Sequence, residues 1–312
     1  MFELVQKRRW YFTISGVLVG LGLIAMIYST IAIGSPVPLS IDFSSGSLLE
    51  LEFAAPIEAG QVRDVVLESG LEEATVQAVG GDYGVVIRTR PMEVAEKEAL
   101  KATLIETFGE ATELRFESVG PAIGRETTRA AVLAILAASV AILFFIAIAF
   151  RRVPNAFRYG VCAITKMFHD VLVLLGIVSI LGILAGWEMG SLFLTAIVTV
   201  VGFSVQDVIV VFDRIRENIR RRRGEPFETI VNRSLLETLH RSLATQLNAI
   251  FVMIAIILFG GATIRQFMLV MLIGMVTGTY SSLFFAVPLL AAWEQGDIGR
   301  IFRRFRAGQA TT

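Results

Sequence analysis

Six apolar runs, each long enough to cross a bilayer, constrain this chain before any other feature does: 10–33, 128–150, 161–184, 192–212, 242–259 and 267–292. A helix needs about 20 apolar residues to cross about 30 Å of hydrocarbon. Because lipid offers no partner to a backbone N–H or C=O, such runs are helical wherever they span. With 54% hydrophobic and only 18% charged residues among 312, the chain is too apolar for an ordinary soluble domain. The reading is an α-helical polytopic membrane protein of six transmembrane helices. Residues 34–125 form the one sizeable polar segment, and 126–293 a five-helix transmembrane bundle.

Basic residues orient the spans by the positive-inside rule. Lys7, Arg8 and Arg9 precede the first run, and Arg151, Arg152 and Arg158 follow the second. Arg214, Arg216 and Arg220–Arg223 follow the fourth, and Arg300, Arg303, Arg304 and Arg306 follow the sixth. This predicts a cytoplasmic N-terminus over 1–9, a cytoplasmic basic tail over 294–312 and an extracytoplasmic 34–125. The first run is longer than the apolar core of a secretory signal and lacks a convincing cleavage site, so it reads as an uncleaved anchor. The exported segment holds sixteen acidic against seven basic residues, a net of −9, which argues against nucleic-acid binding.

Within that segment the periodicity predicts strands over 47–53, 75–79, 84–88 and 112–119 and helices over 58–69 and 93–108, with a turn at Gly80-Gly81-Asp82. The β-α-β-β-α-β order is that of a ferredoxin-like α+β domain, a fold that implies no particular chemistry. Nucleotide-binding loops, zinc-protease motifs and nucleophile elbows are absent from the sequence, so no enzyme activity is expected. The only two histidines, His169 and His240, are far apart, and no metal or other cofactor is expected. The single cysteine, Cys162, permits no intrachain disulfide. Any work such a chain does must draw on an ion gradient or a partner.

Asp207 is the main candidate for that work, because a charge at bilayer depth costs roughly 2.5–3.5 kcal/mol and is a functional-site hypothesis by default. It follows Gly202-Phe203-Ser204-Val205-Gln206 and precedes Val208–Phe212, within the fourth run. In the fifth, Arg241, Thr245 and Asn248 form a polar stripe that Thr238 and Ser234 extend upstream. Two readings stand: Asp207 and Arg241 lock two helices as an ion pair, or Asp207 exchanges a proton while Arg241 tunes it. His169 and Asp170 form a second polar site, with a role in proton movement or in helix packing, and Lys166 one turn away is expected to snorkel. Asp213 reads as part of an interfacial salt-bridge network. Gly274 and Gly278, and likewise Gly16 and Gly20, have the spacing of close helix packing.

The run Gly202–Asn218 resembles the fourth-span motif of the SecF family, the smaller subunit of the bacterial SecDF protein-export complex. Ile41–Ser47, His169-Asp170-Val171, Arg241-Ser242-Leu243 and Gly278–Ser282 agree in order and spacing, so the resemblance covers nearly the whole chain. It implies a bacterial cytoplasmic-membrane protein of the resistance-nodulation-division superfamily that works with SecD. It also implies the SecYEG channel, YajC and unfolded preprotein as further partners, and proton-motive force as the driver of late translocation. Asp207 then matches the family's proton-site aspartate and Arg241 its partner arginine. The chain departs from the pattern at Ser40, Ser45, Gln206, Val208, Ala244 and Gln246. The alternatives are a proton-coupled small-molecule exporter subunit of the same superfamily and a scaffold subunit without ion flux.

Overall fold

The computed structural model describes residues 3–71, 74–79, 81–150, 155–222 and 224–296. Arg151, Arg152, Arg223, Gly80 and the basic tail from 297 onward lie outside the described residues. In chain order the elements are α1 (Arg8–Ile33), α2 (Ile41–Ser44), β1 (Gly46–Phe53), α3 (Ala59–Glu68), β2 (Thr75–Val79), β3 (Gly84–Thr89), α4 (Val94–Phe108) and β4 (Ala111–Val119). Then follow α5 (Pro121–Phe150), α6 (Ala156–Ala185), α7 (Ser191–Arg221), α8 (Phe227–Phe259), α9 (Ala262–Ser281), a π turn (Ser282–Ala286) and α10 (Val287–Glu294). The chain divides into two compact units, 1–38 with 133–312, and 39–132.

Among the described residues, α1, α5, α6, α7, α8 and the α9–α10 run are long and apolar enough to cross a membrane. At 1.5 Å per residue, the 31 residues of α7 extend to about 46 Å, well beyond the hydrocarbon thickness. The apolar runs end at 212 and begin again at 242, yet the helices continue through Arg221 and resume at Phe227. Side chains sustain these extensions. Asn218 donates to Ser234 Oγ at 2.9 Å and to Glu237 at 2.9 Å, Arg214 binds Glu237 at 2.5 Å, and Arg233 meets Glu225 at 3.0 Å. The core gathers Leu174, Val208, Val211, Phe212, Ile215, Val231 and Leu235, with the Tyr159 ring edge-on to Phe212 at 5.2 Å.

Glycines set how closely these helices approach. A methyl on Gly22 of α1 would lie 2.9 Å from Gly176 Cα of α6, and one on Gly274 would lie 2.5 Å from Val200 of α7. One on Gly278 would lie 3.0 Å from Ser204 Oγ. Gly16 and Gly20, in contrast, have open space around them, so the close approach on α1 falls at Gly22. The spacing of two glycines does not fix which face is buried.

The smaller unit is a four-stranded antiparallel sheet in the order β2-β3-β1-β4. Leu49, Leu51, Phe53, Val85 and Ile87 pack with Val62 and Val66 of α3 and Leu100 and Leu104 of α4. Ile41, Leu48 and Val86 form a smaller cluster with Val119. Ser40 caps α2 by accepting from the Asp42 amide at 3.3 Å. Ser45 adopts φ 61° and ψ 162°, a region almost confined to glycine. Glu113 on β4 accepts from Lys101 at 2.9 Å and from Lys97 at 3.0 Å, and these hydrogen bonds hold its carboxyl below the ordinary value of 4.5.

Candidate functional site

The buried face of α7 follows helical periodicity, through Ala196, Ile197, Val200, Ser204, Asp207, Val208, Val211 and Ile215. Asp207, only 6% exposed, therefore sits on the face that packs into the bundle, one turn beyond Ser204. Its carboxylate accepts from Gln246 Nε2 of α8 at 2.9 Å. Ser242 is buried one turn before Gln246, and its hydroxyl has no hydrogen-bond partner among the described residues. Val208 is fully buried in the apolar core, and Gln206 is exposed.

Arg241 does not join this site within the chain. It is exposed, as are Thr245 and Asn248, and no ion pair links it to Asp207 among the described residues. The reason is angular. Residues 234, 238, 242 and 246 recur every four positions and form the inward stripe, so Arg241 stands about 100° away from Ser242. Ser234 and Thr238, expected on the Arg241 stripe, are buried with Ser242 and Gln246. Thr245 returns its hydroxyl to the Arg241 carbonyl at 3.0 Å.

The second polar site is tighter than its sequence suggests. Lys166 is fully buried rather than snorkelling, and its ammonium meets Asp170 Oδ2 at 2.8 Å and the Ser204 carbonyl at 3.0 Å. It also donates to Ser204 Oγ, which in turn donates to Asp170 Oδ2. His169 Nδ1 lies 3.2 Å from Asp170 Oδ1, so these sequence neighbours do touch, and the His169 ring stacks on Phe285 at 4.6 Å. Ser282, at the start of the π turn, donates to the Ser204 carbonyl at 3.1 Å. Buried His169 Nε2 and Gln246 Oε1 have no hydrogen-bond partner among the described residues. Asp213 stands apart, more than half exposed and paired with Arg216 at 2.5 Å. Among the described residues no group of His, Cys, Asp or Glu could hold a metal ion.

Two members of the site escape a reading by residue type. Lys166 carries a usable signal, the i, i+4 spacing to Asp170 that favours a helical ion pair. Gln246 carries a weaker one, its four-residue register with Ser234, Thr238 and Ser242.

Residues 99–296 match the family model for the protein export membrane protein SecD/SecF, C-terminal region. The chain is 45% identical to the protein translocase subunit SecF of Thermobaculum terrenum, over the full length of both. It is 44% identical to that of Anaerolinea thermophila, over 97% of this chain and 98% of the relative. Among solved structures it resembles SecDF of Thermus thermophilus, described as a translocon-associated membrane protein, with a TM-score of 0.78 at 32% identity. That match covers 94% of this chain and 39% of the SecDF chain, so the chain spans about two fifths of that protein. With a buried carboxyl on α7, six membrane-capable helices and relatives matched from end to end, the chain belongs to the SecF family of protein translocase subunits.

Proposed function

We propose that this chain is the SecF half of a proton-driven export complex in a bacterial cytoplasmic membrane. It partners SecD, acts beside the SecYEG channel and YajC, and uses proton entry to help draw unfolded preprotein out of the membrane. Protons are its only cofactor. The observation that carries this reading is Asp207, a buried acid tied to α8 by Gln246 in a SecF-family chain. Neutralising or charging a carboxyl in such surroundings changes local energy by roughly 2.5–3.5 kcal/mol, enough to favour one helix arrangement over another.

Sidedness follows from the basic residues, which put both termini inside and the sheet unit outside. The β-α-β-β-α-β order with antiparallel order β2-β3-β1-β4 supports a ferredoxin-like module there. Arg241, Thr245 and Asn248, exposed on α8, are the polar groups this half offers to SecD. The proton site is thus completed between two chains, with Arg241 acting at the junction. Asp207→Asn, co-expressed with SecD in membrane vesicles, is expected to abolish proton-dependent preprotein release and proton flux. Release and flux equal to wild type would leave only a scaffold role.

A further inference from the structure

The proton reading leaves Lys166 unexplained. A lysine with no exposed surface, inside a bundle of membrane-capable helices, is costly unless its charge is used. Its ammonium bridges two helices, held by Asp170 on its own helix and by both oxygens of Ser204 on α7. Ser204 precedes Asp207 by one turn on the same buried face, so the ammonium held at Ser204 lies about one helical turn along α7 from Asp207. One buried cation is therefore in contact with the Asp170 carboxyl and is tied through Ser204 to the helix face that carries Asp207.

The other groups facing this cluster are one histidine and side chains that carry no charge. Besides Lys166 and Asp170, α6 contributes His169, bound to Asp170 and stacked on Phe285. From α8 come Ser242 and Gln246, and from α9 and its π turn the hydroxyls of Ser281 and Ser282. On α1, Tyr11 is engaged through its carbonyl with Tyr280 at 2.9 Å and is not part of the cluster. Arg241 is exposed, and no ion pair links it to this cluster among the described residues.

We infer that Lys166 is a positioning cation for proton exchange at Asp207, shared between Asp207 and Asp170, so that the ionisation of one carboxyl is felt by the other. This inference rests on the proton reading of Asp207 given above. When Asp207 is neutral, Asp170 has the ammonium to itself. When Asp207 is ionised, two anions draw on one cation, and the α6–α7 contact through Ser204 carries the strain. Proton occupancy at Asp207 is thereby transmitted to the α6–α7 packing within a single chain.

The test reads protonation directly. Dicyclohexylcarbodiimide reacts with the protonated form of carboxyls in apolar surroundings, and mass spectrometry of the peptide carrying Asp207 gives its labelling as a function of pH. The complex with its SecD partner is used in native membrane vesicles. Lys166→Met removes the cation and is expected to raise the labelling midpoint by roughly one pH unit. Asp170→Asn removes the competitor and is expected to lower it, whereas Lys166→Arg stays near wild type. Lys166→Gln keeps a donor for Ser204 and repeats the first arm where Lys166→Met does not accumulate. A purely structural role for Lys166 lowers the amount of complex and leaves the midpoint in place. Midpoints that do not move, or that move the same way in the Lys166 and Asp170 variants, overturn the inference. Labelling is independent of export, so an Asp207→Asn variant that still exports normally would remove the functional reading without deciding this one.

Discussion

Lysine and carboxylate meet in both units of this protein, under opposite conditions. The Lys166–Asp170 pair is 0% and 1% exposed at its side chains, whereas the Lys97–Glu113 pair of the sheet unit is 9% and 23% exposed. At the sheet, water pays part of the solvation, Lys101 adds a second cation, and Lys97 also lies 5.2 Å from the Phe116 ring centroid. In the bundle, among the described residues, Ser204, Asp170 and His169 stand in for the lost water. The same ion pair is therefore an accessory at the sheet and a constraint in the bundle. Desolvation makes a buried pair hard to justify by stability but expensive to break.

The largest effect that tests this contrast is Asp170→Ala, which strands a buried ammonium and is expected to cost about 3–5 kcal/mol. Thermal unfolding of the purified protein in mild detergent measures it, and combining the change with Lys166→Met should recover much of the loss. If Asp170→Ala melts with the wild type, the two pairs are not different in kind. Next comes crowding in place of charge. Gly176→Leu is expected to cost about 1–3 kcal/mol by forcing α1 from α6, whereas Gly20→Leu, in open space, should leave the melting curve unchanged.

The sheet unit supplies the smaller effects. Ser45→Gly relieves a backbone conformation that a side chain rarely adopts and is expected to stabilise the unit by about 1 kcal/mol, seen as slower hydrogen exchange in β1. Glu113→Gln should cost between a few tenths and about 1 kcal/mol. Because Lys101 and Lys97 hold the Glu113 carboxyl below 4.5, its contribution is complete above that pH and fades as pH falls through the lowered value. Urea denaturation across pH 3 to 6, roughly bracketing that window, should show the loss in wild type and its absence in Glu113→Gln.

What was legible in the sequence follows from which physical signal each residue carries. The six spans and Asp207 are visible because hydropathy and an isolated carboxylate within it depend on composition alone. The β-α-β-β-α-β order is visible because alternation changes period between strands and helices. The partner of Asp207 was not legible, since α8 carries two polar stripes and a rotation of about 100° chooses between Arg241 and Gln246. Packing against α7 makes that choice, and no local propensity encodes it. The ends of α7 and α8 were hidden for a related reason: hydropathy stops where lipid stops, while helix formation continues on Asn218, Ser234 and Glu237. The burial of Lys166 is not legible because a lysine's reach allows both snorkelling and burial, and only its surroundings decide.

The π turn at Ser282–Ala286 gives the last transmembrane segment a property that an unbroken α-helix lacks. It holds one residue more per turn than its neighbours, so it works as a reserve of angular phase. Were it to tighten to α geometry, α10 would turn by about 100° relative to α9 while the helix stayed hydrogen-bonded throughout. Leu290 and Ala291 would then leave the core they now fill. Because Ser282 opens that turn and donates to the Ser204 carbonyl, this reserve of phase is fastened to the buried face of α7.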